Sequence, residues 1–506
     1  IMKLKKYLYT LIVLCTMGAF TGCSDWLDYT PKDKETEDQT FSSKQGFYTA
    51  VNGVYNRLID DVMYGKNLTY GMLDLMGKRY NVPDRLQYSV GSSSLNASVI
   101  AGYSYSDIDF SPIIESIWEE AYSTILNINV ILDNAEQRRG TVLNEDDYNL
   151  IKGDLLALRA FLHFDLLRLF GPVYSRNPDQ LCIVYNDSRT AQAYSQLSAR
   201  SIIYDHLIPD LNAAEECLAE YDPVVTEGPL ASTVENEDNY ARYRQLRLNY
   251  YAVLLLKARV YLWAGDTANA LAEAQKLTDD PQVTAWFPFV NSDELLGGQR
   301  PDRTFSTECL FGFYDSGRNT IYTSYFDGAN LTATVLLQPR SGYVSTLFAN
   351  GNQTNLGDYR YMSQWTANTN YFIKYREIEL TDEEIEESSY PFYTYFMPLM
   401  HLSEAYYIAA ECLRDTDPGK ARDYMDTIMA ARGRQPLDAN ITSDALLEEI
   451  KLEYLRETYG EGQAFYMFKR FFQNIGGAQN GQNTSTYAAS DARYVLPLPE
   501  SELINR

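Results

Sequence analysis

The sequence is poor in the residues that build catalytic and metal centres. Its only histidines are His163, His206 and His401, and no H-E-x-x-H pair occurs, so a histidine-built metal site has little support. The chain also contains neither a G-x-S-x-G nucleophile motif nor a glycine-rich loop that could cradle a phosphate. We therefore predict a protein that is not an enzyme and that needs no metal and no cofactor.

Basic residues and cysteines are scarce as well. The chain has 43 lysines and arginines against 68 acidic residues, a net charge of −25, so its own field attracts neither nucleic acid nor an anionic lipid surface. The same charge disfavours strongly anionic polysaccharides unless Arg79, Arg340 or Lys374 form a local basic patch. Four cysteines lie far apart without a C-x-x-C pair and are as compatible with buried thiols as with disulfides: Cys182, Cys217, Cys309 and Cys412.

An apolar stretch from Tyr7 to Phe20 follows three lysines and is too short to span a bilayer comfortably, since a spanning helix needs about 20 apolar residues. Lysines followed by such a stretch are typical of a secretory signal. The stretch ends in FTGC, which resembles a lipobox, so we expect residues 1–22 to be a lipoprotein signal and Cys23 to carry the lipid that anchors the protein to a membrane. Residues 23–42 then form a tether. The alternative is an ordinary cleaved signal with an incidental cysteine.

Apolar residues recur three and four positions apart over most of the chain, which predicts a mostly α-helical protein. Alternation typical of strands is scarce. The exception to the helical pattern is 281–395, a long irregular region with few short strands and with candidate ligand-binding loops. We predict helices over 43–61, 111–137, 150–172, 197–220, 242–264, 266–277, 400–414, 418–432 and 442–459.

Two helical segments repeat one pattern 151 residues apart. LLKARVYLWAGDTANALAEAQ and YYIAAECLRDTDPGKARDYMD each combine a small residue in a first helix, an aspartate that can cap a second helix, and an alanine facing back. This spacing predicts tetratricopeptide-like helix pairs within a single body. The matching residues are Ala258 with Ala409, Asp266 with Asp417, and Ala270 with Ala421.

Five segments, LLALRAFLHFDLLRLFGPV, ARVYLWAGDTANAL, LSEAYYIAAECL, RETYGEGQAFYMFKR and YVLPLPESEL, together resemble the SusD/RagB family of outer-membrane lipoproteins from Bacteroidetes. The resemblance covers nearly the whole mature chain, and the five segments follow one another in the same order as in the family. It implies a SusD-like helical domain over 43–506, anchored in the outer membrane and exposed at the cell surface. It also implies that the protein captures a glycan and delivers it to a SusC-type TonB-dependent transporter.

Glycan binding directs attention to aromatic and polar side chains in loops. A sugar ring offers C–H faces that stack on aromatic rings and hydroxyls that need donors and acceptors. Such residues occur in 70–89 and in 311–345, although any one tyrosine is as well suited to a half-buried packing position. The candidate ligand-binding residues are Asp74, Arg79, Tyr80, Tyr322, Tyr325, Arg340 and Tyr343.

Two alternatives to glycan capture stay open. Some relatives serve peptide importers, and a helical scaffold does not fix its ligand, so a RagB-like, peptide-capturing lipoprotein is one alternative. A glycoside hydrolase is the other, because it needs only two carboxylates about 5 to 10 Å apart across a cleft, and a chain with 68 acidic residues could supply them.

Overall fold

The computed structural model describes residues 32–91, 93–190, 194–235, 238–350, 353–354, 357–387, 390–476 and 486–504. The predicted signal over 1–22 and the predicted lipid anchor Cys23 lie outside these residues. Buried apolar side chains from Phe41 to Leu496 form one contiguous hydrophobic core. None of the helices described there is long and apolar enough to cross a membrane.

Eleven longer helices build the body in the described part of the chain. Nine of them correspond to predicted helices, and some of their ends are set by caps: Asn144 accepts from the Asp147 N–H and starts its helix earlier, and Asn249 accepts from the Ala252 N–H and starts its helix later. The helices Lys32–Thr40, within the predicted tether 23–42, and Gln463–Phe471 were not predicted. The helices are α1 Lys32–Thr40, α2 Lys44–Leu58, α3 Ser111–Arg138, α4 Glu145–Phe170, α5 Ile208–Tyr221, α6 Tyr250–Trp263, α7 Thr267–Thr278, α8 Leu402–Leu413, α9 Pro418–Ala431, α10 Ser443–Glu457 and α11 Gln463–Phe471.

The predicted helix pairs are present as α6–α7 and α8–α9. The paired alanines Ala258, Ala270, Ala409 and Ala421 are all fully buried, as small residues at a close helix crossing should be. Asp266 accepts from the Asn269 N–H and Asp417 from the Lys420 N–H, so each aspartate caps the second helix of its pair. Consecutive helices from α3 to α9 pack on one another, and α7 contacts α8 although residues 281–395 separate them in sequence.

Residues 281–395 leave this stack and fold as short elements. Strand β3 Cys309–Tyr314 pairs antiparallel with β6 Phe396–His401 and returns the chain to the stack. Gly312 is required there, because a Cβ would lie 2.4 Å from the Met397 carbonyl oxygen. Other strands are β1 Gln87–Val90 with β2 Ser93–Asn96, and β4 Ala349–Asn350 with β5 Gln353–Thr354.

Short helical segments complete the structure. Most connect the longer helices or lie within 281–395. The α-helical segments are Met72–Met76, Ala97–Ala101, Ala199–Ser201, Val224–Glu227, Pro281–Trp286, Ser292–Gly297, Arg318–Ile321, Tyr343–Leu347, Tyr359–Gln364, Asp382–Glu387, Asp491–Tyr494 and Glu500–Ile504; the 3₁₀ turns are Arg244–Leu246, Ser306–Glu308 and Phe392–Thr394; and the π turns are Ile202–Leu207 and Tyr322–Phe326.

Candidate ligand-binding site

The two segments predicted to form the site do meet. The Asn81 N–H donates to the Gln338 carbonyl at 2.8 Å, and the Gln87 N–H donates to the Thr334 carbonyl at 2.8 Å. The Lys66 amine, one turn before the first segment, donates to the Tyr325 hydroxyl at 2.8 Å. We call the surface along this junction the junction face.

Four of the seven candidate residues lie inside the protein, beneath the junction face. Tyr80 is fully buried between the rings of Phe326 and Tyr459, with ring centroids 6.1 and 5.9 Å away. Arg79 stacks on Tyr459 at 4.5 Å and donates to the hydroxyl of buried Tyr343. These side chains offer no surface to a ligand in this structure, so their prediction as ligand contacts is corrected.

Asp74 is the fourth of these buried residues. Its carboxylate accepts from the Gly460 N–H at 2.9 Å and from the Tyr80 hydroxyl at 3.4 Å. Burial raises the pKa of Asp74 to about 7, and the nearby Arg79 charge only partly opposes this. The turn that Asp74 contacts needs glycine at Gly462, where φ is +73° and a Cβ would lie 2.7 Å from the Leu68 carbonyl oxygen. Asp74 therefore fastens the N-terminal segment to the C-terminal part of the chain.

The other three candidates reach the junction face. Tyr322, Tyr325 and Arg340 are half-buried. The Tyr325 ring lies 4.1 Å from the Lys66 amine, which holds the ring in place. Tyr322, Tyr325 and Arg340 remain proposed ligand contacts.

A groove that the sequence reasoning missed lies beside α2, and we call it the aromatic groove. Its larger cavity has a volume of about 260 Å³, and a neighbouring cavity of about 180 Å³ shares Asn52, Leu246 and Arg247 with it. The most exposed aromatic ring of the larger cavity is Tyr314, at 46% exposure. The larger cavity is lined by Asn52, Tyr55, Asn56, Ile59, Leu246, Arg247, Phe313 and Tyr314.

A row of tyrosines extends from the aromatic groove. The Tyr314 and Tyr395 rings are 5.4 Å apart, and the Tyr395 and Tyr390 rings are 5.6 Å apart. Tyr314 reaches the surface because it ends β3, whose preceding five residues are buried. The run CLFGFY followed by a DSG turn is the sequence signal that could have identified it, since the last residue of a buried strand emerges at the edge.

Polar side chains flank these rings. Asn52 and Asn56 are exposed and lie one turn apart on α2, so both amides face the same side of the helix. The Arg247 guanidinium lies 4.6 Å from the Tyr55 ring and donates to Asn52. Aromatic faces with amide and guanidinium groups beside them match the apolar faces and hydroxyl edges of a sugar.

The aromatic groove and the junction face are close to each other. Ile59 lines the groove, and two residues later the Asp61 carbonyl accepts from the Asn67 N–H at 3.1 Å. Lys66, the residue before Asn67, donates to the Tyr325 hydroxyl of the junction face. The two surfaces therefore adjoin around Asp61.

Comparisons with known proteins now bear on these surfaces. Residues 25–227 match the family described as starch-binding and associating with the outer membrane, and residues 313–505 match the family described as SusD. The chain belongs to the SusD family. The matched ranges contain α2, β6 and the residues from 313 onward, and hence most of both surfaces.

Relatives of this SusD-family chain match it over nearly its full length. SusD-like protein P2 from Formosa agariphila is 23% identical over 550 residues, which cover 99% of this chain and 98% of the relative. A crystal structure of a SusD-like carbohydrate binding protein from Bacteroides vulgatus is 19% identical, with a TM-score of 0.65 and coverage of 91% of this chain and 96% of that one. A SusD superfamily protein from Bacteroides thetaiotaomicron is 20% identical, with a TM-score of 0.65 and coverage of 91% and 98%. These structures show the shared fold.

The family motifs of this SusD-family chain hold the interior together. Lys469 is fully buried and donates to the carbonyls of Arg168 at 2.6 Å and Gly171 at 2.7 Å. Glu461 binds Lys374 and the His401 imidazole.

Among the described residues, one group of buried side chains has its potential ligand atoms close enough together to hold a metal ion. The group consists of Glu308, His401 and Glu457. Arg432 already binds both carboxylates. The Nδ1 atom of His401 forms a hydrogen bond with Cys309 Sγ at 3.2 Å. The side chains of the group are 4% exposed or less, so they contribute to packing rather than to a surface site.

Proposed function

We propose that this protein captures an oligosaccharide or polysaccharide at the outer surface of the cell and delivers it to a SusC-type TonB-dependent transporter. The observation that carries the proposal is the aromatic groove, where Tyr314, Tyr395 and Tyr390 form a row beside a cavity of about 260 Å³. The Tyr395 ring is tilted by 59° from Tyr314, and the Tyr390 ring lies at 89° to Tyr395, so the three rings do not form one flat platform. Each ring can instead meet a separate apolar patch of an extended glycan.

The polar lining supports a sugar as ligand. The amides of Asn52 and Asn56 both donate and accept, and Arg247 adds further donors. A sugar hydroxyl can therefore find a partner whether it donates or accepts a hydrogen bond. These contacts are partly exposed to water, which favours reversible binding of modest affinity over tight retention. A protein that hands its cargo to a transporter requires such reversibility.

Binding without cleavage is part of the proposal. Among the described residues that line the larger cavity there is no aspartate or glutamate, and Asp238 is the one carboxylate among those that line the neighbouring cavity. A glycoside hydrolase would place two carboxylates across the cleft that holds the scissile bond. The lining therefore supports capture over hydrolysis.

Calorimetry on the Cys23→Ser protein with a panel of plant, host and microbial glycans tests the proposal, with reducing ends measured on the same samples. Tyr314→Ala should weaken binding of the recognised glycan by about 2 kcal/mol, roughly 30-fold, because truncating a central aromatic anchor removes its stacking area. Tyr204→Ala is the matched control, since Tyr204 is 37% exposed, donates to Asp266 at the cap of α7 and is not among the residues that line the groove.

Three outcomes would change the assignment. Release of reducing ends would make the protein a glycoside hydrolase. Binding of peptides without glycans would make it a RagB-like peptide-capturing protein. Equal losses in Tyr314→Ala and Tyr204→Ala would remove the aromatic groove as the site.

Transporter delivery and the lipid anchor rest on family membership and on the FTGC sequence ending at Cys23. Purification of the anchored protein from outer membranes should recover a SusC-type transporter at a defined ratio. Recovery of the anchored protein alone under mild detergent conditions would count against delivery.

A further inference from the structure

A cluster of basic residues lies at the edge of the junction face, around the ring of Tyr487. The Lys78 amine is 3.9 Å from the Tyr487 ring centroid, and the Arg493 guanidinium is 5.6 Å from it. Arg340 comes two residues after Gln338, whose carbonyl accepts from the N–H of Asn81 at 2.8 Å. Asn81 comes three residues after Lys78, and the Arg340 charge acts on Lys78. We call Lys78, Arg340 and Arg493 the basic cluster.

The basic cluster has no acidic partner among the described residues. None of its three members forms an ion pair there, whereas the buried arginines Arg244 and Arg360 each bind an aspartate. Shortage of acids cannot be the reason, because the chain has 68 acidic residues and 43 basic ones. Arg340 and Arg493, together with Lys78 in its protonated form, repel one another when no counter-charge is present, and this repulsion costs folding free energy.

The hydrogen-bond acceptors of the cluster are uncharged backbone carbonyls, and Arg493 donates to the Ala488 carbonyl. Lys78 is 4% exposed, and its amine donates to the Ala101 carbonyl and lies over the rings of Tyr103 and Tyr487. One terminal nitrogen of Arg340 is buried without an acceptor among the described residues. Burial, followed by the charges of Arg340 and Arg493, lowers the pKa of Lys78 to about 7. A ligand anion would supply the missing acceptors and the missing charge together.

The backbone beneath the cluster is itself unusual. Lys78 has φ of +57° and Tyr103, whose ring covers the Lys78 amine, has φ of +59°. Residues other than glycine adopt this left-handed region at a cost of about 1 kcal/mol or more, and such residues are concentrated at functional sites. Lys78 and Tyr103 both adopt this conformation and are in contact, so together they hold the Lys78 amine in place.

We propose that the basic cluster binds the anionic substituent, a carboxylate or a sulfate ester, of a glycan held on the junction face. Arg340 lies two residues beyond Gln338, whose carbonyl accepts from the Asn81 N–H, so the cluster is part of that face. An oxyanion there meets the guanidinium groups of Arg340 and Arg493, which bind carboxylate and sulfate well, while the buried Lys78 amine adds positive charge beneath them. The inference rests on the proposed glycan capture and narrows its ligand to acidic glycans, against the expectation from the net charge of −25.

Matched pairs of glycans test the inference by calorimetry. The first pair is trigalacturonate and its fully methyl-esterified form, and the second is a sulfated and a desulfated chondroitin hexasaccharide, so the two pairs separate carboxylate from sulfate. We expect the charged member of at least one pair to bind about tenfold more tightly than the neutral one. Equal binding of both members in each pair would overturn the inference and leave glycan capture standing.

Variants assign the preference to the cluster. Arg493→Gln should reduce the preference for the charged member about tenfold, with binding of the neutral member unchanged. Arg340 is also a proposed contact for any glycan on the junction face, so Arg340→Gln should weaken the charged member about tenfold more than it weakens the neutral one. Arg200→Gln is the matched control, since it removes the same charge from an exposed ion pair with Asp179. A preference that survives in both cluster variants, or that falls equally in Arg200→Gln, would refute the assignment.

Inorganic sulfate separates this inference from the proposed function. If no glycan of any kind binds, glycan capture fails. In that case the Tm is measured in sodium sulfate and in sodium chloride at equal ionic strength. A rise in Tm with sulfate that is larger in the wild type than in the Arg340→Gln, Arg493→Gln double variant would still support an oxyanion site. An equal rise in both proteins would overturn it. A cooperative melting transition of the double variant without sulfate is the control for its folding.

Discussion

Replacing Asp74 by asparagine tests the structural role of a residue that its sequence position suggested as a ligand contact. One carboxylate oxygen of Asp74 accepts from Gly460 and Tyr80, and the other is buried without a hydrogen-bond partner among the described residues. Asparagine keeps the accepting oxygen and carries no charge at any pH. Asp74→Asn should therefore fold and should remove the cost of burying an ionised carboxylate.

The size and sign of the effect follow from the pKa. Burial raises the pKa of Asp74 from 3.8 to about 7, so between these values the native state holds a proton that the unfolded state has lost. The stability of the wild type therefore falls as pH rises from about 4 to about 7 and does not fall further on this account above 7. At about 1.36 kcal/mol per unit, the loss is about 4 kcal/mol.

Urea unfolding of both proteins between pH 4 and pH 8 measures this loss. Other titrating groups are common to the two proteins, so the difference in their free energies of unfolding isolates Asp74. We expect Asp74→Asn to gain about 4 kcal/mol relative to the wild type between pH 4 and pH 8. Asp84→Asn, with an exposed side chain in the same segment, is the control. A difference that stays constant with pH would refute the reasoning.

Three further predictions concern packing, the anchor and a buried ion pair. Ala258→Leu should lower the free energy of unfolding by about 1 to 3 kcal/mol, because the larger side chain overpacks the α6–α7 crossing. Ala268→Leu, on the exposed side of α7, should leave this free energy unchanged. Equal urea midpoints for the two variants would contradict the packing. Cys23→Ser should move the protein from the membrane to the soluble fraction; retention of the variant in membranes would count against the anchor. Arg244→Met should cost about 3 to 5 kcal/mol in urea unfolding, because it leaves the fully buried Asp222 carboxylate unpaired, and a loss below 1 kcal/mol would contradict this.

The position of the tyrosines determines which of them can meet a ligand. Tyr80 and Tyr343 come from segments that also contain exposed polar residues, yet both are buried. Tyr314 follows five buried residues and is exposed. The residues next to each tyrosine therefore do not predict its exposure, which depends on contacts made after the chain has folded.

The sequence by itself determined the helical part of this protein. Apolar spacing predicts the long helices, and Asp266 and Asp417 mark the start of the second helix in each pair, because a helix and its cap depend on residues within a few positions of one another. The family motifs likewise predicted the fold, since they record which helix faces pack together.

Only the tertiary structure decided which side chains face a ligand. Asp74 is buried because it binds Gly460, which lies 386 residues away, and Arg79 is buried because it stacks on Tyr459 of the same turn. The basic cluster likewise joins Lys78, Arg340 and Arg493 from three distant parts of the chain. Loops lack a repeating period that would fix the direction of a side chain, so burial and charge pairing there follow from long-range contacts that local sequence does not encode.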